Sequence, residues 1–311
     1  MVSYGDGQVG SINVPKKAIA AQEVIYQGST LLSVMEKAGI PTIMTKELMY
    51  RTDVTKGVAG EDQVAVDAEI DPKRVSYTQL ENQLVWSNYT YDILEGAKLN
   101  SREPNAIWEN NIKATSEFFG AIKDYRTITA LSNAAMNTAA AGTTWGSAGA
   151  DPEEDIVKGL SKLMEKSNMQ AGEKISVVIP AKVFYEANKL TLINNIQRTV
   201  RDYLEKSFDL QMFAYRPMVN AAGTAVFDGL TTSALMFVQG RNTAQQLVFD
   251  PAEANARGVP LVEHERVFSR GDRYVQKMAT GCIPIWDGVS TFTSSTNYKT
   301  SRIYKITSVT T

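Results

Sequence analysis

Residues 105–135 read NAIWENNIKATSEFFGAIKDYRTITALSNAA. Apolar residues recur there at three-and-four spacing: Trp108, Ile112, Phe119 and Ile122, then Phe118, Ile122 and Tyr125, then Ile128, Leu131 and Ala135. That period places them on one broad face of an α-helix. Glu109, Lys113, Glu117, Lys123, Asp124 and Arg126 fill the other positions and are expected on the polar side. Glu109 and Lys113 stand i, i+4 in the favourable order. Pro104 suits a helix start, where its missing N–H has no partner to lose. Gly120, inside the run, costs up to about 1 kcal/mol against Ala and marks a bend or a close contact. About 30 residues at 1.5 Å each make a rod of roughly 45 Å, where a helix of about 11–12 residues is usual. Such a rod either crosses a large domain or lies along a flat one as a spine. An ordinary long helix in an α/β enzyme is the competing reading.

The rest of the chain narrows the choice. With 311 residues, 43% hydrophobic and 21% charged, it can bury one large core or two ordinary ones. A net charge of −2 gives no basic excess for tight nucleic-acid binding. One cysteine, Cys282, and one histidine, His264, exclude an intrachain disulfide and argue against a His/Cys metal site. No apolar h-region follows a basic start, and no apolar run reaches about 20 residues, so neither a secretory signal nor a membrane span is read.

Taken in order, residues 1–22 are rich in Gly, Ser, Val and Lys without a period and read as an extended arm. Residues 30–38 read as a short helix ended by Gly39. Residues 43–55 and 63–70 alternate weakly, with Lys46, Arg51 and Asp67 among them, and the linker Lys56-Gly57-Val58-Ala59-Gly60 lies between the two. They read as a polar two-stranded hairpin or long loop, either solvated or laid on a neighbouring subunit. Residues 80–94 read as a strand. Asp151-Pro152-Glu153-Glu154 opens a helix by capping, and capping accounts for those acids without any catalytic role. KISVVI, residues 174–179, is a buried strand; residues 181–190 form a short helix, and residues 192–206 an amphipathic one through Ile193, Ile196, Val200 and Leu204. Residues 210–218, 235–239 and 246–249 read as strands, and 250–262 as an irregular loop. Residues 265–280 read as strands broken at Arg270-Gly271-Asp272. The Ser/Thr-rich tail, residues 287–311, is either an edge strand or an exposed terminus.

No phosphate-binding glycine loop, nucleophile elbow or metal cluster is present in the sequence. His264 has no serine on a nucleophile turn near it, and Cys282 sits in GCIPI without a basic neighbour, which reads as a buried thiol. No catalytic residue, cofactor or metal ligand is assigned.

The DPEEDIVKGLSKLMEKS helix, the VVIPAKVFYEANKL unit, the LMFV strand followed by NTAQQLVFDP, and the returning RGDRYVQKMATGCIPIWDG follow the arm, loop and spine in an order that resembles the major capsid protein of tailed double-stranded DNA viruses. The resemblance covers essentially the whole chain and implies the Hong Kong 97 fold, of α+β class. It implies an N-terminal arm at 1–28 and an extended loop at 41–80. A peripheral domain with the spine helix would take 29–40, 81–145 and 263–311, and an axial domain mostly 146–262. It implies a virion protein, assembled in the host cytoplasm, whose partners are many copies of itself as pentamers and hexamers. Enclosed double-stranded DNA would be held by non-specific contact. Scaffolding, portal or decoration proteins are further partners it allows; a membrane is not. The Met1 start favours a separate or absent scaffold. Loop residues Lys46, Arg51, Lys56, Asp67, Lys73 and Arg74, with Glu109 and Lys113 on the spine, are the expected subunit contacts. Lys46 or Lys56 could stand where some relatives form a covalent crosslink, but no partner asparagine or catalyst is fixed, and none is predicted. Encapsulins share the fold and enclose enzymes, which is the nearest alternative. An unrecognised α/β enzyme is the third reading; a deep pocket with perturbed titratable groups would favour it.

Deleting residues 47–70 is expected to leave a folded subunit that assembles poorly. Circular dichroism and sedimentation check this; unfolding of the isolated subunit would place that segment in the core.

Overall fold

A computed structural model describes residues 33–45, 50–54, 77–81, 84–94, 104–167, 169, 172–188, 190–193, 196–220, 222, 224–249, 261–267, 271–287 and 297–310. The expected arm, residues 63–70 of the loop, and the stretch 250–260 lie outside them.

The first element is α1, Val34–Lys37, shorter than expected because Ser33 caps it: its side chain accepts from the Glu36 N–H. Gly39, at φ +92°, ends it in the left-handed region that glycine enters without penalty. Then come β1 (Thr42–Thr45), β2 (Tyr50–Val54), β3 (Tyr77–Glu81) and β4 (Val85–Ile93). The spine helix, α2, is Pro104–Ala134, starting at the expected proline and running unbroken past a buried Gly120. It passes without a loop into β5, Ala135–Ala140, a strand the sequence reading had not placed. Next are α3 (Pro152–Lys166), β6 (Ile175–Pro180), and α4 (Ala181–Phe184) with a 3-10 turn to Asn188.

The helix expected over 192–206 is a correction. Residues 190–199 form antiparallel strands β7 (Leu190–Ile193) and β8 (Ile196–Thr199), and only Val200–Phe208 is helical, as α5. The physical reason is twofold. Asn194-Asn195 stands between LTLI and IQRT, and Asn is a residue type that turns favour. Thr199 then accepts from the Asp202 N–H at 3.0 Å, so the helix cannot begin before its cap. The remaining strands are β9 (Leu210–Tyr215), β10 (Met218–Val219), β11 (Ala225–Val226), β12 (Ala234–Val238), β13 (Ala244–Phe249), β14 (Leu261–Val267), β15 (Gly271–Pro284) and β16 (Thr300–Thr307).

Two five-stranded sheets carry the fold. One runs β5-β16-β12-β6-β9; the other runs β1-β13-β15-β14, with β4 also on β15. β16 corrects the expected edge or exposed tail: it lies between β5 and β12, and Thr300–Ile303 and Tyr304 are all buried. Its alternation of Ser/Thr with Ile and Tyr hid a strand covered on both faces. Pairing also crosses the expected domain boundaries. β13 comes from the axial segment but joins the sheet of β1, β4 and β15, while β16 comes from the peripheral segment but joins that of β6, β9 and β12. The expected hairpin is re-paired too. β2 pairs with β3, Tyr50 opposite Glu81; residues 42–45 are β1 on the core sheet, and 63–70 lie outside the described residues.

Both faces of the β5–β9 sheet are covered. Val177, Ile179, Met236 and Tyr304 pack with Ile156, Leu160 and Leu163 of α3 and with Leu204 of α5. Val178, Leu235, Phe237 and Ile303 point the other way, onto Ile128 and Leu131 of α2 and Met35 of α1. Further along α2, Phe119 packs on Val248 and Met278 of the second sheet.

α3 lies close to its sheet because Gly159 faces it. A Cβ there would stand 2.6 Å from the Met236 sulfur and 2.9 Å from the Tyr304 ring. On a solvent-facing helix, Gly→Ala would stabilise by up to about 1 kcal/mol. Here overpacking reverses the sign: Gly159→Ala is expected to destabilise by about 1–3 kcal/mol in urea or thermal unfolding.

Candidate assembly surface

Three polar residues expected on the solvent side of the spine helix are instead its anchors. Asp124 is 3% exposed. Its carboxylate accepts from the Ser33 hydroxyl (3.0 Å), the Val34 N–H (2.8 Å) and the Met35 N–H (3.1 Å), closing the first turn of α1. Lys123, also buried, reaches the Glu36 carboxylate at 2.7 Å. Arg126 turns to β4 and β15: one terminal nitrogen donates to the Val85 carbonyl (2.6 Å) and to the carbonyl and hydroxyl of Thr280, the other to the Ser87 hydroxyl (2.7 Å). Burial lowers the Arg126 pKa from its ordinary value, and the guanidinium stays charged all the same. The spacing carried the signal. Asp124 precedes Ile128 and Leu131 by the same four and seven that define the apolar face; Arg126 follows Phe119 and Ile122 by seven and four.

Elsewhere, buried polar groups serve the body of the fold. Asp155 accepts from the Gly142 N–H and the Trp145 indole, tying the loop after β5 to α3. Arg302, 4% exposed, donates to Thr243 and pairs with Glu173 at 2.6 Å. Cys282 is the buried thiol expected, pushed up to about 12 by burial, with a Thr127 hydrogen bond opposing. A cleft of about 310 Å³ lies at the carboxyl ends of the parallel strands β6 and β9. Three of its polar groups are turned onto its own backbone: Tyr215 donates to the Phe227 carbonyl, Asp228 accepts from the Leu230 N–H, and Thr310 donates to the Thr231 carbonyl. Among the described residues, no three His, Cys, Asp or Glu are grouped to hold a metal ion, and no helix is long and apolar enough to cross a membrane.

Of the expected contact residues, Glu109 and Lys113 are exposed on the first half of α2. Arg51 stands opposite Leu80 in the β2–β3 ribbon. Lys46, Lys56, Asp67, Lys73 and Arg74 lie outside the described residues. The ribbon pairs with no other described strand. At its root on the sheet, Val85 and Trp86 are about half exposed, at 51% and 50%.

No family profile and no curated protein matches the sequence. Solved structures do match it in shape. A virus-like particle from Pyrococcus furiosus superposes with a TM-score of 0.57 at 10% identity, over 93% of this chain and 98% of that one. The capsid of Myoviridae phage XM1 gives 0.53 at 14%, over 88% and 90%. The capsid of a native GTA particle gives 0.54 at 10%, over 91% of each. The chain therefore has the Hong Kong 97-type capsid fold, of α+β class.

Burial raises the Asp124 pKa above its ordinary value, and the three donors and Lys123 oppose that shift only in part. A carboxyl whose folded pKa exceeds its unfolded one contributes fully below the unfolded value, near 4, and loses that contribution as pH rises through the folded value. Asp124→Asn lacks this titration. The stability of the wild type relative to Asp124→Asn is thus expected to decline as pH rises above about 4, read from urea unfolding at each pH. A constant difference would show that the carboxyl does not titrate on folding.

Proposed function

We propose that this chain is the structural subunit of an icosahedral shell, built from many copies of itself, that encloses double-stranded DNA. What supports the reading is agreement of fold along nearly the whole length of three shell structures. The β2–β3 ribbon fits it: a two-stranded ribbon is marginal alone in water, and a sister copy would supply the surface it lacks. Shell contacts can each be weak because many act together. A net charge of −2 suits non-specific contact with DNA whose phosphates are largely neutralised by cations. The role is structural and not catalytic, and it uses no cofactor.

On this reading residues 1–28 are the arm and 41–80 the extended loop. Residues 29–40, 81–145 and 263–311 with the spine helix α2 are the peripheral domain, and 146–262 are mostly the axial domain, which clusters in pentamers and hexamers. Lys46, Arg51, Lys56, Asp67, Lys73 and Arg74 on the loop, with Glu109 and Lys113 on the spine, contact neighbouring copies. Assembly takes place in the host cytoplasm and yields the virion shell.

Electron microscopy of the protein purified from expressing cells, with nuclease treatment and extraction of the contents, tests the reading. Closed shells holding nuclease-protected DNA are expected. Small uniform shells holding protein and no DNA would select the encapsulin reading instead, and monomers or small rings under every condition would overturn both.

A further inference from the structure

We propose that the open edge of β5 is a self-pairing surface: two copies of this chain join their β5 strands antiparallel, about a two-fold axis through Thr138, and so make one sheet of their two. The proposal rests on the reading of the chain as a self-assembling subunit and names one of its contacts.

β5, Ala135–Ala140, ends the sheet β5-β16-β12-β6-β9, so β16 is its single neighbour among the described strands. The ladder fixes which groups look outward. Ala141 donates its N–H to the Thr307 carbonyl at 2.8 Å, and the Ala139 carbonyl accepts from the Thr307 hydroxyl. Main-chain groups of successive strand residues turn to alternate sides. Met136, Thr138 and Ala140 therefore turn their N–H and C=O away from β16. The shift in the ladder falls before Asn137, and Asn137–Ala140 run in register. Met136, Thr138, Ala139 and Ala140 are exposed, so the subunit leaves this edge uncovered.

An open edge is a template for another strand, and proteins commonly blunt it with charge or proline. β5 reads AMNTAA and has neither. The other sheet ends at β14, where Glu263, Glu265 and Arg266 supply charge. β9, at the far end of the sheet that β5 belongs to, has no exposed residue.

The lack of charge also selects the occupant. A strand that pairs with its own copy brings like residues together, and any charge near the axis would meet itself. An axis through Thr138 sets threonine against threonine, a favourable cross-strand pair. It sets Met136 against Ala140 and Asn137 against Ala139, in each case the larger side chain against a methyl. All three outward residues then exchange main-chain bonds with the second copy, whereas an axis through Asn137 or Ala139 pairs only two of them within the strand. Such a contact is self-complementary and belongs on a two-fold axis. A six-residue edge is small beside a standard stable interface, so it is weak alone and counts through repetition.

Cross-linking of the full chain tests the pairing. Thr138→Cys, Met136→Cys and Ala140→Cys are each treated with a short bismaleimide, over a concentration series in which sedimentation follows the association of the parent. Dimers are read on a denaturing gel. Cys282 is buried, with its thiol pushed up to about 12, so the parent serves as the blank. At the axis the opposed Cα atoms stand about 5.5 Å apart, while the two copies of Ala140 are offset by about 14 Å along the strands. Thr138→Cys is expected to give about tenfold more dimer than either other variant alone. A mixture of Met136→Cys and Ala140→Cys copies is expected to cross-link where neither does alone. Equal yields from Thr138→Cys and Ala140→Cys, no dimer from Thr138→Cys, or a parent that stays monomeric at every concentration overturns the proposal. Should a cysteine variant fail to fold by circular dichroism, charge decides. Thr138→Lys sets like charges opposite each other and is expected to weaken association several-fold, and added Thr138→Glu copies restore it; association of Thr138→Lys equal to that of the parent overturns the proposal as well. Micrographs keep the two readings apart. Closed shells without the Thr138→Cys cross-link end the pairing alone, and cross-linked dimers that never form shells end the shell reading alone.

Discussion

One helix must satisfy two sheets at once. The last turns of α2 put Ile128 and Leu131 against Val178, Leu235 and Phe237; its middle puts Phe119 against Val248 and Met278. Each fully buried Phe, Ile or Leu contributes about 1.5–3 kcal/mol relative to exposure. Neither sheet could bury that face of itself without the rod, and a rod of 31 residues could not be stable in water without such a face. The polar anchors take their places from this packing. Asp124 and Lys123 fasten α1 to the rod, and Arg126 fastens β4 and β15.

The subunit therefore separates two kinds of structure. Its body is two sheets with helices between and outside them, closed by apolar burial on both faces of β6, β12 and β16. Its ribbon, β2 with β3, pairs with no other described strand. In the described cleft, Tyr215, Asp228 and Thr310 bond to its own backbone, while the apolar residues Val85 and Trp86 are half exposed where β4 begins.

Much of the body was legible in the sequence wherever one local rule acted alone. Pro104 and the three-and-four spacing placed the spine helix to within a residue, and Asp151 accepting from the Glu154 N–H placed α3. Where two rules competed, the wrong one was followed. The residues Ile193, Ile196, Val200 and Leu204 fit a helical period, yet the Thr199 cap begins the helix only at Val200. β16 alternates polar and apolar like a half-buried edge, but its Ser and Thr are buried too, and only the tertiary neighbours β5 and β12 reveal it. For the candidate surface, Glu109 and Lys113 were rightly seen on the exposed side of the rod. Arg126 was missed because charge was taken to mean solvent, although its spacing from Phe119 and Ile122 put it on the inner face.

The junction between Ala134 and Ala135 has a mechanical meaning. Helix becomes strand there with no intervening loop, and β5 is laddered to β16 from Thr300 to Thr307. A loop would act as a universal joint and let the rod roll independently of the sheet. Without one, torque on the rod is passed into β5 and across the ladder, so a strain applied near its first turns arrives at the opposite sheet as rotation instead of being dissipated on the way.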